Sequence, residues 1–171
     1  MDLGLDGKVA LVTGASAGIG LAIAQRLAAE GCEVAICARN PERLQRAAQD
    51  IGAKAWARAA DLTQAKDAAE LAQAVLARYG RLDILVNNAG GVARMADFFE
   101  LDEADWEQAW QLNVMSALRL CRLLVPTMRA QRWGRVINIA SESGLQPDPF
   151  MPHYNACKAA LINLGKSLSK A

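Results

Sequence analysis

The chain has 171 residues, 19 Lys and Arg against 18 Asp and Glu, and a hydrophobic content of 53%. This length suits one domain, and the composition excludes a wholly disordered chain. A net charge of +1 without a basic cluster argues against a nucleic-acid-binding protein, and no apolar stretch approaches the length of a membrane span.

Short apolar runs alternate with longer helical patterns in the first half of the chain. In chain order they predict a strand, a helix, a strand, a helix and a strand at residues 8–13, 19–29, 33–38, 41–51 and 54–60. The first run is apolar on both faces, which is typical of a central strand in a parallel sheet. Asn40 is a good N-cap and Pro41 suits a first helical turn, so the second helix has a defined beginning.

The alternation continues in the second half. It predicts a helix, a strand, a long helix, a strand and a last helix at residues 63–79, 82–86, 102–129, 136–140 and 152–171. Gly80 is a typical helix stop, and Asp102 with Asp105 three residues later resembles a capping box. Pro126 is expected to bend the end of the long helix. Strands joined by helices through short loops predict one α/β domain with a Rossmann-like, doubly wound parallel sheet of strand order 3-2-1-4-5.

Glycines and polar residues collect where the predicted strands end. The residues in question are Gly14, Gly18 and Gly20 after the first strand, Arg39 after the second, Asp61 after the third, Asn87, Asn88, Ala89 and Gly90 after the fourth, and Ser141 after the fifth. Open α/β sheets bind ligands at the carboxyl ends of their strands. We therefore expect these residues to meet at one site.

The segment 13–20 is a glycine-rich turn between a strand and a helix. Such a turn lets a pyrophosphate approach the backbone, and the following helix points its N–H groups at the phosphates. The alternative is a loop that merely needs a positive φ angle.

Arg39 occupies the position that distinguishes the two nicotinamide cofactors. An acid there would bind the ribose 2′-hydroxyl of NAD, whereas an Arg accommodates the 2′-phosphate of NADP. NADP is therefore favoured, with a merely solvent-facing Arg as the alternative.

Three polar residues of the predicted helices are candidates for chemistry. Tyr154 and Lys158 lie four residues apart and so share one helix face, where an ammonium would stabilise a phenolate. This spacing is common and by itself means little. Asn113 lies on an otherwise apolar stripe with Trp106 and Trp110, so its amide faces inward and needs partners, which could simply be neighbouring carbonyl groups.

His153 is the single histidine of the chain, and no second candidate ligand lies nearby, so we expect no metal site. An acidic beginning of the chain is unlike a signal peptide, and the cysteines have no C-x-x-C spacing. We expect four buried cytosolic thiols, namely Cys32, Cys37, Cys121 and Cys157, in a cytoplasmic protein.

Taken together, these residues closely resemble the classical short-chain dehydrogenase/reductase family. The matching pieces are Thr13-Gly14-x-x-x-Gly18-x-Gly20, Asp61-Leu62, Asn87-Asn88-Ala89-Gly90, Asn113, Ser141 and Tyr154-x-x-x-Lys158. They occur in the order and spacing of the family over most of the chain.

The resemblance implies a ketoreductase-like oxidoreductase that transfers a hydride between NADP(H) and a carbonyl compound or secondary alcohol. Tyr154 would be the acid or base, Ser141 would orient the substrate oxygen, and Lys158 would stabilise the phenolate and hold the nicotinamide ribose. Asn113 would anchor a water that connects Lys158 to solvent. Cofactor binding is expected at Gly14, Ser16, Gly18, Ile19, Gly20, Arg39, Asp61, Leu62, Asn88, Ala89, Gly90, Tyr154 and Lys158.

Two departures from the family pattern affect these expectations. Ala17 stands where many NADP-preferring members have a basic residue, so the NADP prediction depends on Arg39. Members of the family normally continue beyond the helix that contains Tyr154, so we expect residues 1–171 to be one NAD(P)-binding domain that is incomplete at its C-terminus. The alternative function is a nucleotide-binding module without turnover. The family also implies a homodimer or homotetramer formed through the helices around Asn113 and Lys158.

Overall fold

The sheet is parallel and has five strands. The computed structural model describes residues 3–170, and the strands are β1 Val9–Thr13, β2 Glu33–Ala38, β3 Ala55–Ala59, β4 Ile84–Asn87 and β5 Arg135–Asn138. Their order is β3-β2-β1-β4-β5, and every neighbouring pair is parallel. The predicted Rossmann-like topology is confirmed, and its strand order reverses between β1 and β4.

Helices cover both faces of the sheet. They are α1 Gly18–Ala29, α2 Pro41–Ile51, α3 Ala65–Tyr79, α4 Glu103–Trp110, α5 Ser116–Ala130 and α6 Pro152–Leu168. A π-helical segment at Gln111–Met115 joins α4 to α5, and a 3₁₀ turn at Glu142–Gly144 follows β5.

The side chains of β1 alternate between two cores, as the period of two in a strand requires. Leu11 packs in a core that α3 and α5 cover, with Leu71 and Leu120 among its members. Val12 faces the opposite core, which α1 and α2 cover. Because these residues are buried on both faces, β1 is the apolar central strand that its sequence predicts. Its carboxyl end is thereby fixed at the centre of the sheet edge.

Most element boundaries agree with the sequence to within two residues, and the long helix is the main exception. The helix predicted over 102–129 is interrupted by the π-helical segment, which holds Asn113. The side-chain amide of Asn113 donates to the backbone oxygen of Ala109 at 3.0 Å, so it competes for a carbonyl of the preceding turn. A π segment adds one residue to the turn and shifts the buried face. Ala109 is therefore buried and Trp110 is exposed, contrary to the predicted stripe.

Two other boundaries have local causes. The helix predicted from Thr63 begins at Ala65, because Asp61 Oδ1 first accepts hydrogen bonds from the backbone N–H and the hydroxyl of Thr63. The sequence predicts that the last helix reaches Ala171, which lies outside the described residues, and α6 ends at Leu168.

Between residues 3 and 170, no helix combines the length and the apolar character needed to cross a membrane.

Candidate functional site

The carboxyl ends of β1 to β4 surround one cleft of about 240 Å³. It is lined by Gly14, Ser16, Cys37, Ala38, Arg39, Asn40, Arg43, Ala60, Asp61, Leu62, Ala89, Gly90 and Leu112. The cleft lies at the point where the strand order reverses, which is where doubly wound sheets bind ligands. Seven of the residues predicted to bind a cofactor line it: Gly14, Ser16, Arg39, Asp61, Leu62, Ala89 and Gly90.

The glycine turn requires glycine for close packing against neighbouring atoms as well as for its backbone angles. Gly14 has a φ of 63°, which side chains disfavour, and a Cβ there would lie 3.0 Å from the Cα of Ala89. A Cβ at Gly20 would lie 2.5 Å from Asn88 Nδ2 and 2.6 Å from the backbone oxygen of Gly14. The alternative interpretation, a turn that only needs positive φ, does not explain Gly20. Its missing side chain lets α1 pack directly on the turn.

Asn88 and Thr13 tie the turn after β1 to the loop after β4. Asn88 Nδ2 donates to the backbone oxygens of Thr13 at 2.8 Å and Gly14 at 3.2 Å. Thr13 Oγ1 accepts from the backbone N–H groups of Asn88 at 2.9 Å and Ala89 at 2.8 Å. Asn88 does not line the cleft itself but fixes the two loops that form its floor.

Helix α1 begins at this turn without a capping side chain. Ala17 is its N-cap, and the N–H groups of the first turn receive no side-chain hydrogen bond there. Free N–H groups at the positive end of a helix attract an anion such as a phosphate. Gly18 begins the helix and Ile19 is 65% exposed, so the approach to these groups is open.

Two arginines border the cleft near the end of β2. Arg39 is exposed, and Arg43 lies beside it in the first turn of α2, where the side chain of Asn40 accepts a hydrogen bond from its backbone N–H at 2.8 Å. Neither guanidinium forms an ion pair within residues 3–170. Both cations are therefore available to an anionic ligand. Sequence reasoning missed Arg43, because no local pattern shows that α2 brings this side chain to the cleft.

Ser16 also belongs to the sequence Gly14-Ala15-Ser16-Ala17-Gly18, which matches the G-x-S-x-G pattern of hydrolase nucleophiles. Such a serine needs a histidine as its base. The one histidine of the chain, His153, packs its ring 6.2 Å from that of Trp106 and makes no hydrogen bond to Ser16. The pattern here belongs to the glycine turn.

Asn113 is held in the π-helical segment by three hydrogen bonds. Its Oδ1 accepts from the backbone N–H of Gly91, and its Nδ2 donates to the oxygens of Gly91 and Ala109, each at 3.0 Å. The side-chain amide of Asn113 therefore bonds neighbouring carbonyl groups, as the second interpretation of the sequence expects. The same bonds tie α4 and α5 to the loop after β4.

Lys158 lies on α6 with its ammonium group buried. Its Nζ donates to the backbone oxygen of Ile139 at 2.7 Å and lies 5.4 Å from the centre of the Tyr154 ring. Burial lowers the pKa of Lys158, and the nearby Cys157 opposes that effect. A Cβ at Gly90 would lie 2.7 Å from Asn113 Oδ1 and 3.4 Å from Lys158 Nζ. The bare backbone of Gly90 therefore brings Asn113, Lys158 and the cleft together.

Ser141 precedes the 3₁₀ turn that follows β5, and it is half-buried. Its hydroxyl oxygen accepts hydrogen bonds from the backbone N–H of Ser143 at 3.2 Å and from the hydroxyl of Ser143 at 2.8 Å. The turn packs against α6, since a Cβ at Gly144 would lie 2.9 Å from the backbone nitrogen of Ala159. Ser141 is thus fixed relative to the helix that holds Tyr154 and Lys158.

These features fit a nicotinamide dinucleotide. The side-chain-free surface at Gly14 and Gly20 and the uncapped start of α1 suit a pyrophosphate. The free guanidinium groups of Arg39 and Arg43 suit an additional phosphate. The fixed ammonium of Lys158 lies beside Tyr154 and near Gly90 of the cleft lining, which suits proton transfer next to a bound cofactor.

Comparison with known proteins agrees with this geometry. The family model described as short chain dehydrogenase matches residues 8–171. An oxidoreductase of Bacillus subtilis (strain 168), YvrD, is 38% identical over 172 residues, which cover 99% of this chain and 65% of that protein. This chain therefore spans less than two thirds of the length of that relative.

Among the similar solved structures, two illustrate the two nicotinamide cofactors. L-sorbose reductase from Gluconobacter frateurii, complexed with NADPH and L-sorbose, superposes with a TM-score of 0.95 at 40% identity, over 99% of this chain and 66% of that chain. NAD⁺-bound xylitol dehydrogenase superposes with a TM-score of 0.92 at 33% identity, over 96% of this chain and 64% of that chain. Similar proteins thus bind either NADP or NAD.

Proposed function

This chain belongs to the short-chain dehydrogenase/reductase family, and from that premise we propose that it transfers a hydride between NADP(H) and a carbonyl compound or secondary alcohol. The observation that carries the proposal is the buried ammonium of Lys158, which is fixed to Ile139 beside Tyr154. A cation held there favours the phenolate of Tyr154 after it has given its proton away.

The cofactor is proposed to lie across the cleft, with its pyrophosphate on the turn from Gly14 to Gly20. Asp61 and Leu62 would border the adenine end, and the backbone of Asn88, Ala89 and Gly90 would border the central part. The support for this placement is the cleft lining at Asp61, Leu62, Ala89 and Gly90, the close packing of the turn, and the hydrogen bonds from Asn88 to the turn. When bound, the nicotinamide supplies the hydride.

The protein's own part in the reaction is to position the substrate and to move a proton. In the reducing direction Tyr154 donates its hydroxyl proton to the substrate oxygen while the carbonyl carbon accepts the hydride. Ser141 donates a second hydrogen bond to that oxygen. In the oxidising direction Tyr154 acts as the base. Asn113 is proposed to anchor a water that resupplies protons through Lys158, in line with their common contact with Gly90.

NADP(H) is proposed over NAD(H) because two cations border the cleft where an acid would favour NAD. In the sequence this preference depends on Arg39, and in the structure Arg43 adds a second guanidinium. A 2′-phosphate beside both would receive charge-assisted hydrogen bonds.

The substrate is proposed to be partly apolar. A groove of about 720 Å³ borders the 3₁₀ turn, and its lining includes Phe98, Phe99, Ser143, Gly144 and Pro147. Phe150, on the loop before α6, is exposed. Aromatic and proline walls beside Ser143 suit a ketone with a hydrocarbon portion.

We further propose that the protein is a cytoplasmic homodimer or homotetramer, with α4, α5 and α6 at the interface. Trp110, Leu123 and Ile162 are exposed on these helices, which supports a covered surface there. The cytoplasmic location is supported by the four cysteines, which are buried and free. A sedimentation equilibrium measurement in which the protein stays monomeric at about micromolar concentration would contradict the oligomer. That residues 1–171 form one cofactor-binding domain stays a prediction.

The test of the function is turnover with NADPH and two probe ketones, ethyl acetoacetate and L-sorbose. The wild-type chain is expected to consume NADPH with at least one of them, and Tyr154→Phe is expected to abolish this while NADP⁺ affinity changes less than about twofold. Retained turnover in Tyr154→Phe would remove Tyr154 from its role. Binding of NADP⁺ by a chain that reduces neither ketone would favour the nucleotide-binding module instead.

A further inference from the structure

Ser143, two residues after Ser141, is a buried hydroxyl that the proposed reaction does not yet use. It is 5% exposed, and its Oγ lies 2.8 Å from the Oγ of Ser141. The backbone N–H of Ser143 also donates to Ser141 Oγ, at 3.2 Å. Ser143 therefore contacts the proposed substrate-orienting oxygen twice.

The direction of the bond between the two hydroxyls follows from their surroundings. A buried hydroxyl must place its proton on an acceptor, because an unpaired buried donor is costly. Within residues 3–170, Ser141 Oγ is the one acceptor that the hydroxyl of Ser143 reaches. Ser141 is half-buried, so its own proton can be given to a ligand or to water. The proton of the shared bond therefore comes from Ser143.

Ser141 Oγ then accepts two hydrogen bonds, both from Ser143. A hydroxyl has two acceptor lone pairs and one donor proton. With both lone pairs occupied, Ser141 can act toward a ligand only as a donor. Hydrogen bonds in a chain also polarise one another, so an oxygen that accepts two bonds becomes a stronger donor.

We propose that Ser143 is a positioning residue that commits the Ser141 hydroxyl to donating its proton to the substrate oxygen. This inference rests on the proposed function. It adds to that function a preference for ligands that accept a hydrogen bond. A ligand oxygen that accepts a hydrogen bond, such as that of a ketone, is favoured over a group that can only donate one. The alcohol of the reverse reaction also fits, since its oxygen accepts from Ser141 while its proton goes to Tyr154.

The backbone keeps this pair of serines in register with α6. The N–H of Gly144 donates to the backbone oxygen of Ser141 at 3.1 Å, which closes the 3₁₀ turn. A Cβ at Gly144 would lie 2.9 Å from the backbone carbon of Lys158, so the turn and the helix are in direct contact. Rotation of Ser143 away from Ser141 would give up this hydrogen bond. The hydrogen-bonded arrangement is therefore the stable one.

The test is a double-mutant cycle between Ser141 and Ser143, with kcat/KM measured for ethyl acetoacetate and NADPH. Ser143→Ala is expected to lower kcat/KM by roughly 3- to 10-fold, which corresponds to the loss of one hydrogen bond. Ser143→Thr keeps the hydroxyl and is expected to restore most of this loss. In a Ser141→Ala background, Ser143→Ala is expected to have no further effect, because its target is gone.

A purely structural role would give a different pattern. Equal losses from Ser143→Ala with and without Ser141 would overturn the proposal, as would unchanged kcat/KM in Ser143→Ala. Thermal unfolding of each variant shows whether the fold is intact, and Ser143→Thr keeps the test valid if the alanine variant is destabilised. If Tyr154→Phe abolishes turnover while Ser143→Ala does not change it, only the role of Ser143 is wrong. If Tyr154→Phe retains turnover, the proposed function itself fails, and this inference with it.

Discussion

Gly20 offers a direct test of how the cofactor turn is built. In Gly20→Ala the new Cβ would lie 2.5 Å from Asn88 Nδ2, 2.6 Å from the backbone oxygen of Gly14 and 3.0 Å from the Cα of Ala15. The amide of Asn88 could move aside, but it would then lose its bonds to Thr13 and Gly14. The backbone contacts would remain, so the turn itself must shift.

The expected cost follows from these contacts. Two lost hydrogen bonds cost about 1 kcal/mol each, and overpacking a tight contact costs about 1–3 kcal/mol. Alanine stabilises the helix by about 0.5–1 kcal/mol relative to glycine, because glycine is unfavourable inside a helix. The free energy of unfolding should therefore fall by roughly 2–4.5 kcal/mol, measured by denaturant unfolding. Because the turn is the proposed pyrophosphate site, NADP⁺ affinity measured by calorimetry should fall by at least about tenfold.

The control is Gln25→Ala, an exposed position of the same helix, which should change the free energy of unfolding by less than about 0.5 kcal/mol. Gly20→Ala with unchanged stability and unchanged NADP⁺ affinity would refute the argument. It would mean that α1 does not press on the turn in the way that the distances require.

Two further predictions concern the cofactor phosphate and the buried histidine. The double variant Arg39→Ala/Arg43→Ala should lower NADP⁺ affinity by roughly 10- to 100-fold and NAD⁺ affinity by less than about twofold, by calorimetry. Arg46→Ala, an exposed Arg of the same helix outside the cleft, should leave both unchanged, and equal losses for the two cofactors in the double variant would contradict a phosphate site. Burial lowers the pKa of His153 below its ordinary 6.5, an effect that Asp105 partly opposes. Below about pH 6.5 the unfolded chain therefore binds more protons than the folded chain. The free energy of unfolding falls as the pH decreases toward the folded-state pKa of His153. This loss is at most about 1.4 kcal/mol per pH unit. The free energy of unfolding of the wild type minus that of His153→Gln should shrink between about pH 7.5 and 5.5, and a constant difference would argue against a buried neutral imidazole.

The sequence predicts the sheet well because its signals are local. The strand at 33–38 is observed with those same bounds, since an apolar run between Gly31 and Asn40 has few alternatives. The capping box of Asp102 and Asp105 and the left-handed Gly80 are also observed, because both depend on a few neighbouring residues.

The missed features depend on contacts between distant parts of the chain. The π-helical segment forms where Asn113 donates hydrogen bonds to both Ala109 and Gly91. Helical periodicity alone does not predict the bond to Gly91. Arg43 reaches the cleft only because α2 packs beside β2, which no local pattern reveals. The hydrogen bonds from Ser143 to Ser141 likewise depend on the 3₁₀ turn, which the sequence did not predict.

Isotope transfer from cofactor to substrate tests the proposed hydride transfer most directly. NADPH that carries deuterium at the transferable position of its nicotinamide would be incubated with the wild-type chain and ethyl acetoacetate, and the product analysed by mass spectrometry and NMR. We predict one deuterium on the new carbinol carbon, and no labelled product from Tyr154→Phe. Alcohol product without deuterium on that carbon, or equal labelling by Tyr154→Phe, would contradict it.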